Sequence, residues 1–354
     1  MNTYGNILKI TTFGESHWNA LWVVIDGFPP NFEIDLDFIQ NELNRRKPGQ
    51  SNITTQRKED NSFEILSWIF EWKTTWHPIA MIVKNKDQDS SKYDNLKKLF
   101  RPNHADLTYF QKYGIRDHRW GGRSSGRETV SRVLAGALAK QYLKEKLWVE
   151  IYAYTKQVWQ FKIEKVDFDF IEKNKLRTAD ENIYPQMIEY VEKIASDGDS
   201  VWGIIECVVK NTPKNLWEPV FGKIKAILAH SMLSIGGVLW FEYWAWFDTV
   251  KYTWKTYNEW FVNENWKIKS NHNRYGGILG GITTGEDLIF RVAVKPTSSI
   301  YKKQKTVDIN GNEVDFQISW RHDPCILPRV IPVIESMAAL NILDLYLLDN
   351  AKRF

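Results

Sequence analysis

The sequence predicts a mixed α+β protein, and three observations support this fold class. Short apolar runs bounded by turn residues predict strands, and longer segments with an apolar stripe predict helices. The two kinds of segment alternate irregularly, without the even strand–helix–strand repeat of a Rossmann sheet. The strands are predicted near residues 6–12, 20–26, 78–84, 148–158, 201–210 and 288–295. The helices are predicted near residues 36–46, 92–99, 126–146, 184–196, 220–233 and 329–348.

The predicted strands are apolar runs with turns at their ends. Residues 14–17, Gly-Glu-Ser-His, predict a tight polar loop between the first two strands, and Asp26 and Gly27 close the second strand. The polar, charged segment near 160–185 is interpreted as the connection between two halves of the chain. We predict a single domain over residues 1–354.

The helix over residues 126–146 has the strongest helical pattern. Ser125 and Glu128 form an S-x-x-E capping box, which predicts where the helix begins. Lysines suit its C-terminal end, where the helix dipole is negative. Its apolar stripe consists of Val130, Val133, Leu134, Ala137, Leu138 and Tyr142.

The most apolar segment, residues 330–348, predicts a buried helix and not a membrane span, because polar residues and a proline interrupt it. The N-terminal sequence MNTYGNILKITTFGESH lacks a basic-then-apolar signal pattern. Only Cys207 and Cys325 are present, so no disulfide framework is expected. Together these features predict a cytoplasmic protein that does not associate with membranes.

The net charge of +4, from 47 basic and 43 acidic residues, suits an anionic small molecule as well as nucleic acid. In RDHRWGGRSSGRE, four arginines within twelve residues precede the start of the 126–146 helix. Exposed backbone N–H groups, the helix dipole and guanidinium groups together favour a phosphate or carboxylate ligand there. The segment is not a Walker loop, because Arg127 follows Gly126 where that motif requires Lys. Arginine runs are usually solvated faces, and lone histidines are usually structural, so the residues alone leave both interpretations open.

Nine motifs, in order along the chain, resemble those of chorismate synthases. They are TTFGESH, RRKPGQS, TTQRKED, FRPNHADLTY, GGRSSGRETVSRVLAGALAK, GDSVWGIIE, SNHNRYGGILGGI, KPTSSI and RHDPCILPRVIPVIE. The resemblance covers essentially the whole chain. It implies a β–α–β sandwich with helices packed between sheets, and a homotetramer.

The resemblance implies a lyase that converts 5-enolpyruvylshikimate 3-phosphate to chorismate and phosphate by 1,4-elimination, with reduced FMN as cofactor. By motif, His17 corresponds to the histidine that protonates the reduced flavin. His104 corresponds to the histidine that assists phosphate departure. Asp323 corresponds to the carboxylate near flavin N5, which helps that nitrogen accept the substrate proton. No metal is implied.

Further binding residues carry over by motif. Arg46 matches a position that binds NADPH in the family, whereas Asn52 stands where the second such position usually has Arg, so the sequence leaves NADPH binding open. Asn103 replaces a family glycine, a change that asparagine tolerates in a left-handed conformation. The implied flavin contacts are Arg123, Ser124, Ser125, Gly236, Gly237, Gly280, Lys295, Pro296, Thr297, Ser298, Ser299 and Arg321.

Two alternatives remain at this point. A phosphate- or RNA-binding protein would explain the basic loops but not the spaced histidines or the KPTSS and RHDP segments. A family member could also be inactive, because tryptophan fills positions that the site needs empty.

The tryptophan content is unusual, with 17 Trp against 20 Gly. Where the chain has GESHW, SWIFEWKTTWHPI, RWGG, NLWEPVF and SWRHDP, the family has glycine in place of each tryptophan. A gene in which UGA encodes glycine, translated with a table that reads UGA as tryptophan, would produce this pattern. We therefore expect glycine at these positions in the organism. We further expect the literal tryptophan rings to crowd the site at Trp18 and Trp120 and to overpack the core.

Overall fold

Two five-stranded antiparallel sheets, with helices between them, form the core of this computed structural model. The structure describes residues 1–55, 61–67, 69–85, 96–118, 122–243, 246–318 and 323–352. In chain order the strands are β1 (Thr3–Tyr4), β2 (Lys9–Gly14), β3 (Ala20–Asp26), β4 (Phe63–Ile65), β5 (Ile79–Lys84), β6 (Glu150–Val158), β7 (Phe161–Lys162), β8 (Gly203–Lys210), β9 (Val238–Tyr243), β10 (Phe261–Glu264), β11 (Lys267–Ser270), β12 (Ile278–Leu279), β13 (Ile282–Thr283), β14 (Leu288–Val294), β15 (Gln304–Val307) and β16 (Glu313–Phe316). The α-helices are α1 (Leu36–Arg46), α2 (Asp106–Tyr113), α3 (Thr129–Leu147), α4 (Tyr184–Ser196), α5 (Ile224–Leu233), α6 (Trp254–Tyr257) and α7 (Leu327–Lys352).

The first sheet has the strand order β1-β2-β3-β5-β4, and the second has β7-β6-β8-β14-β9. In each sheet one face is more buried than the other, because successive side chains of a strand point to opposite faces. In β3, Leu21, Val23 and Ile25 are buried, and the residues between them are less so. Three two-stranded ribbons, β10-β11, β12-β13 and β15-β16, complete the strands.

Helices α3 and α7 pack side by side between the sheets, α3 against β3 and α7 against β6 and β8. Their close approach depends on Gly136, where a Cβ would lie 2.2 Å from the Cβ of Ser336. Among the described residues, α7 is the helix long and apolar enough to cross a membrane, but 89% of its apolar window is buried inside the protein. This burial matches the predicted core helix.

A buried ionic cluster ties these helices to the second sheet. Glu335, 2% exposed, accepts hydrogen bonds from Arg45 (Nη2 to Oε1, 3.0 Å) and Lys140 (Nζ to Oε2, 2.7 Å). It also accepts from the backbone N–H of Ala153 in β6 (3.0 Å). Burial alone would raise the pKa of Glu335, but the Arg45 and Lys140 charges lower it from 4.5 to about 2.

The predicted fold class is confirmed, and most predicted elements occur within a few residues of their expected bounds. The strand predicted over 6–12 begins at Lys9, and the helix predicted over 220–233 begins at Ile224. The helix predicted over 92–99 falls partly outside the described residues, and it is wrong for residues 97–99, which are not helical. The interpretation of 160–185 as a connection between halves is also wrong, because β6 and β8, on either side of it, pair in one sheet.

The predicted capping box is wrong in detail. Ser125 does accept a hydrogen bond, from the N–H of Arg127 (3.3 Å), but it caps a short 3-10 turn over residues 126–128. Glu128 does not reach back to Ser125; its carboxylate pairs with Arg132 (3.0 Å). The α-helix therefore begins at Thr129, one turn later than the sequence pattern indicates.

Candidate active site

The end of β2 and the turn before α3 lie against each other. The guanidinium of Arg123 donates to the carbonyl oxygens of Gly14 (3.2 Å) and Thr12 (3.0 Å). Its Nη2 also lies 2.6 Å from the Thr12 hydroxyl oxygen. Arg123 thereby holds the loop that leads to His17 beside the turn of residues 122–124.

His17 is half-buried, and neighbouring groups hold both its ring and its backbone. Its Nδ1 lies 3.0 Å from the hydroxyl oxygen of Ser16, a residue that is 2% exposed. On either side of His17, the Asn85 side chain donates to the carbonyl oxygens of Glu15 (3.0 Å) and Trp18 (2.7 Å). The loop therefore presents the imidazole from a fixed backbone.

His104 lies in a buried cluster of charges at the start of α2. Asp106, 3% exposed, accepts from Arg101 (Nη2 to Oδ1, 2.7 Å) and pairs with Arg116 (3.0 Å). The Nδ1 of His104 lies 3.2 Å from Asp106 Oδ1 and 3.1 Å from Arg101 Nη2. Asn103, just before it, has a φ of 51°, the left-handed conformation that its place in the family motif implies.

These charges set the protonation of the cluster. Burial would raise the pKa of Asp106, but the hydrogen bonds from Arg101 and His104 and the Arg101 charge hold it well below its usual range. Burial lowers the pKa of His104; the hydrogen bond to Asp106 opposes this effect, and the charges of Arg101 and Lys295 add to it. Without a bound anion, the His104 imidazole is therefore more readily deprotonated than an ordinary histidine.

Residues 295–299, the segment after β14, are hydrogen-bonded to the loops that contain Gly237 and Asn103. The Lys295 N–H donates to the carbonyl oxygen of Gly237 (2.8 Å), and its Nζ donates to that of Asn103 (3.0 Å). A Cβ placed on Gly236 would lie 3.8 Å from the carbonyl oxygen of Ser124, so these backbones are close. Burial lowers the pKa of Lys295, because desolvation disfavours its charged form.

Asp323, shortly before the beginning of α7, contacts the same 295–299 segment. Its carboxylate accepts from Arg329 (Nη1 to Oδ2, 2.5 Å) and from the N–H of Thr55 (2.8 Å). Its carbonyl oxygen accepts from the hydroxyl of Thr297 (2.9 Å), whose own carbonyl accepts from Ser200 (2.8 Å). The 295–299 segment is therefore hydrogen-bonded to Asp323 at one side and, through Lys295, to the His104 loop at the other.

The other residues assigned by motif lie in different positions. Ser125, Pro296, Ser298 and Ser299 are half-buried in the loops just described, whereas Arg321 lies outside the described residues. Gly280, at φ 62°, forms the turn between β12 and β13, and Ile224, at the beginning of α5, donates to its neighbour Gly281 (2.9 Å). Gly236 follows the C-terminal end of α5. At 1.5 Å per residue, the two ends of this ten-residue helix are about 15 Å apart, so Gly280 and Gly236 lie near opposite ends of it.

Arg46, assigned by motif to NADPH, lies inside the protein. It is 2% exposed, and its guanidinium donates to the Thr129 hydroxyl (3.0 Å) and to the Gly126 carbonyl. It therefore contacts the turn before α3 from the inside of the protein. Asn52 is instead tied to Glu192 (2.8 Å) and Lys175 (2.9 Å) at the surface. The NADPH assignment stays a prediction.

Several supporting residues were not assigned from the sequence. Asp106 and Arg329 stand inside the motifs FRPNHADLTY and RHDPCILPRVIPVIE, and the polar loop of Arg101, His104 and Asp106 is visible in the sequence, but neither Asp106 nor Arg329 was given a role. Ser16 is adjacent to His17 but is distinguished only by its burial. Asn85 gave no sequence signal, because its partners are about 70 residues away in the chain.

Comparison with known proteins identifies the family of the chain. The chorismate synthase family model matches residues 8–347. The chorismate synthase of Phocaeicola vulgatus is 50% identical over 353 residues, which cover 99% of this chain and 98% of that protein. The chorismate synthase of Bacteroides fragilis is 49% identical over the same length and shares. This chain belongs to the chorismate synthase family.

A solved structure, "Crystal Structure of Chorismate Synthase", has the same fold. Its TM-score is 0.77 at 24% identity, and the match covers 98% of this chain and 93% of that one. The fold class and the implied family are confirmed. The chain is a lyase of the shikimate pathway that forms chorismate and phosphate from 5-enolpyruvylshikimate 3-phosphate. Neither the inactive family member nor the phosphate- or RNA-binding protein is favoured.

Proposed function

We propose that the loops joined by Arg123, Lys295 and Asp323 form one site that holds the phosphorylated substrate and reduced FMN. Two sets of hydrogen bonds support this most directly, one from Arg123 to Thr12 and the other from the 295–297 segment to Asn103 and Asp323. The two sets approach each other where Gly236 lies close to the Ser124 carbonyl and Gly237 accepts from the Lys295 N–H. Loop residues placed by a rigid sheet-and-helix core commonly form active sites.

The residues fit a phosphate-bearing cofactor. Arg123, Lys295 and the hydroxyls of Ser124 and Ser125 are groups suited to bind phosphate oxygens. Gly236 and Gly237 offer backbone without side chains in the same place, so a planar ring can approach closely. When bound, reduced FMN supplies the electron-rich ring that the family's elimination requires.

The protein's part in the elimination is the handling of protons and charge. His104 takes up a proton when the substrate phosphate arrives, because an adjacent anion stabilises the imidazolium. It then gives the proton to the departing phosphate as a general acid. His17, beside Ser16, supplies a second imidazole, and Asp323, held by Arg329 and Thr55, supplies a carboxylate.

The basic loops support a small anionic substrate over nucleic acid. Arg101 and Arg116 are ion-paired to the buried Asp106 and do not form an exposed basic surface. We also propose a cytoplasmic homotetramer, as the family resemblance implies. Sedimentation analysis of the purified protein tests the assembly, and a mass other than that of four chains refutes it.

An anaerobic assay with chemically reduced FMN tests the assignment of the histidines. His17→Ala and His104→Ala should each lower turnover about 10²–10⁴-fold, the usual contribution of a general acid or base. His77→Ala, at an exposed histidine in the loop before β5, is the matched control and should keep wild-type turnover. Losses below tenfold in both site variants would refute the assignment.

Flavin titration tests the binding site separately. Arg123→Ala should weaken binding of FMN or substrate, because it removes a cation and releases the β2 loop. Lys144→Ala, at the exposed end of α3, should leave both affinities unchanged. Equal affinities in the two variants would show that the arginine cluster is only a charged surface.

A further inference from the structure

Asp106 is the one anion that the described residues place against His104. Its carboxylate bridges Arg101, Arg116 and the His104 ring, and it is almost completely buried. The other charged groups that face the ring are Arg101 and Lys295, both cations. Without Asp106, an imidazolium at this position would face the Arg101 and Lys295 charges with no described carboxylate beside it.

We infer that Asp106 is a positioning residue, which holds Nδ1 of His104 and leaves Nε2 for the substrate phosphate. This inference rests on the proposed role of His104. Once His104 is protonated, its Nδ1–H can donate to Asp106 Oδ1 at the observed 3.2 Å. The carboxylate thereby orients the ring and stabilises its charge, as a buried carboxylate does for a catalytic histidine elsewhere.

Asp106→Asn in the FMN-loaded enzyme tests this role. We expect kcat to fall about 10- to 100-fold with little change in KM, since a displaced acid loses alignment more than binding. NMR titration of His104 should show a lower pKa, and the alkaline limb of the kcat–pH profile should move to lower pH. Asp106→Glu, which keeps the charge, should recover the pKa and part of kcat.

An unchanged or raised His104 pKa in Asp106→Asn would overturn the inference. If the asparagine variant does not fold, Asp106→Glu replaces it: its carboxylate is displaced by one methylene, and wild-type kcat there would overturn the inference. The proposed role of Asp106 and the proposed role of His104 can be refuted independently of each other. Full activity of His104→Ala would refute the role of His104, whatever the titration shows about Asp106.

Tryptophan occupies backbone conformations that the other aromatic residues of this chain avoid. Among the described residues, fifteen non-glycine residues have positive φ: seven Asn, six Trp, one Glu and one Arg. Asparagine is expected there, whereas a bulky side chain at positive φ is an outlier. The chain has 18 Phe and 15 Tyr, yet none of those described is in this group. Aromatic character therefore does not explain the six tryptophans.

Two of the six stand in hairpin turns that require glycine. Glu71 and Trp72 connect the paired residues Phe70 and Lys73, with φ of 49° and 63°. Asn265 and Trp266 connect β10 to β11 in the same way, with φ of 51° and 65°. Two-residue hairpins with positive φ at both positions favour the sequence Asn-Gly, with glycine second.

Two others occupy further glycine positions. Trp148 ends α3 in a left-handed conformation, φ 54° and ψ 25°, where helices most often have glycine. Trp217 has a φ of 90°, beyond the left-handed region that other residues reach. Its indole N–H is buried without a hydrogen-bond partner among the described residues. A tryptophan selected for packing normally finds an acceptor.

Most of the tryptophans whose side chains the structure describes lie outside the core. Of the twelve whose side chains the structure describes, ten are exposed and none is buried. Tryptophan is highly buried in most proteins. The expectation that the rings overpack the core is therefore wrong for these twelve. Trp18 is 55% exposed, and Trp120 lies outside the described residues.

We propose that the 17 positions written as tryptophan are glycine in the natural protein, because the organism decodes UGA as glycine. The six positive-φ positions carry this inference, independently of sequence similarity. One codon accounts for all 17, whereas independent mutations would not replace one residue type by a single other type.

The gene sequence and the native protein test the proposal together. We expect UGA codons at the 17 positions, and peptides of the protein isolated from its source should show glycine at positions 72, 148, 217 and 266. A UGG codon at any of the six positive-φ positions would overturn the proposal. So would a native peptide with tryptophan at one of them.

Discussion

Replacing four exposed tryptophans by glycine should stabilise the protein. Trp72, Trp76, Trp148 and Trp266 combine positive φ with exposures of 63%, 70%, 76% and 95%. The rings bury little apolar surface, so their removal loses little hydrophobic stabilisation. The backbone strain is removed, because glycine adopts positive φ without the clash between Cβ and the carbonyl oxygen.

The size of the effect follows from the backbone. A left-handed conformation costs a residue with a Cβ about 1–2 kcal/mol. Glycine gives back about 0.5–1 kcal/mol through its greater freedom in the unfolded chain. The net gain is about 0.5–1 kcal/mol at each site, or about 2–4 kcal/mol for four separate sites. With an unfolding entropy of about 2.1 cal/mol/K per residue, Tm should rise by about 3–5 °C.

Urea and thermal unfolding of the recombinant protein measure this gain. The matched control replaces the same four residues by alanine, which removes the rings but keeps the Cβ and its strain, and should show little gain. A second control, Trp202→Gly with Trp240→Gly, removes exposed rings where φ is not positive and should not stabilise. If the glycine variant is no more stable than the alanine variant, backbone strain at these tryptophans is not the cause.

Two further predictions concern the packing of α3 and α7. Gly136→Ala should lower the free energy of unfolding by about 1–3 kcal/mol, because its Cβ would lie 2.2 Å from that of Ser336; a gain in urea denaturation, as expected from helix propensity alone, would contradict this. Glu335→Gln should cost about 3–5 kcal/mol near neutral pH, since it leaves Arg45 and Lys140 buried without their anion. Because the folded pKa of Glu335 is lowered, its stabilising contribution is complete above about pH 4.5 and is lost as pH falls toward about 2. The stability of the wild type should therefore approach that of the variant in acid, and a constant difference between them would exclude this linkage.

The fold was predictable where the signal is local. The bounds of β3, α1 and α4 agree with the sequence pattern, because an apolar run or stripe within one segment decides each of them. Helix α2 and strand β9 were not predicted. The first begins within the polar RPNHADLTY motif, and only pairing with β14 makes a strand of the second. Local patterns carry no information about such partners.

In the candidate site, too, local sequence motifs were informative and contacts between distant segments were not predictable. The motifs located His17, His104 and Asp323, but the groups that support them are distant in sequence or ordinary in type. Asn85 holds the His17 loop from β5, and Thr55 reaches Asp323 across 268 residues. Spacing along the chain cannot indicate such contacts, because they depend on which loops the two sheets bring together.

The protonation of His104 depends on contacts that only the folded protein reveals. The ring faces a carboxylate, Asp106, and two cations, Arg101 and Lys295, and burial is the main reason that its pKa is lowered. An adjacent anion stabilises an imidazolium. A phosphate analogue should accordingly raise the pKa of His104 in an NMR titration, and an unchanged pKa would show that substrate binding does not control its protonation.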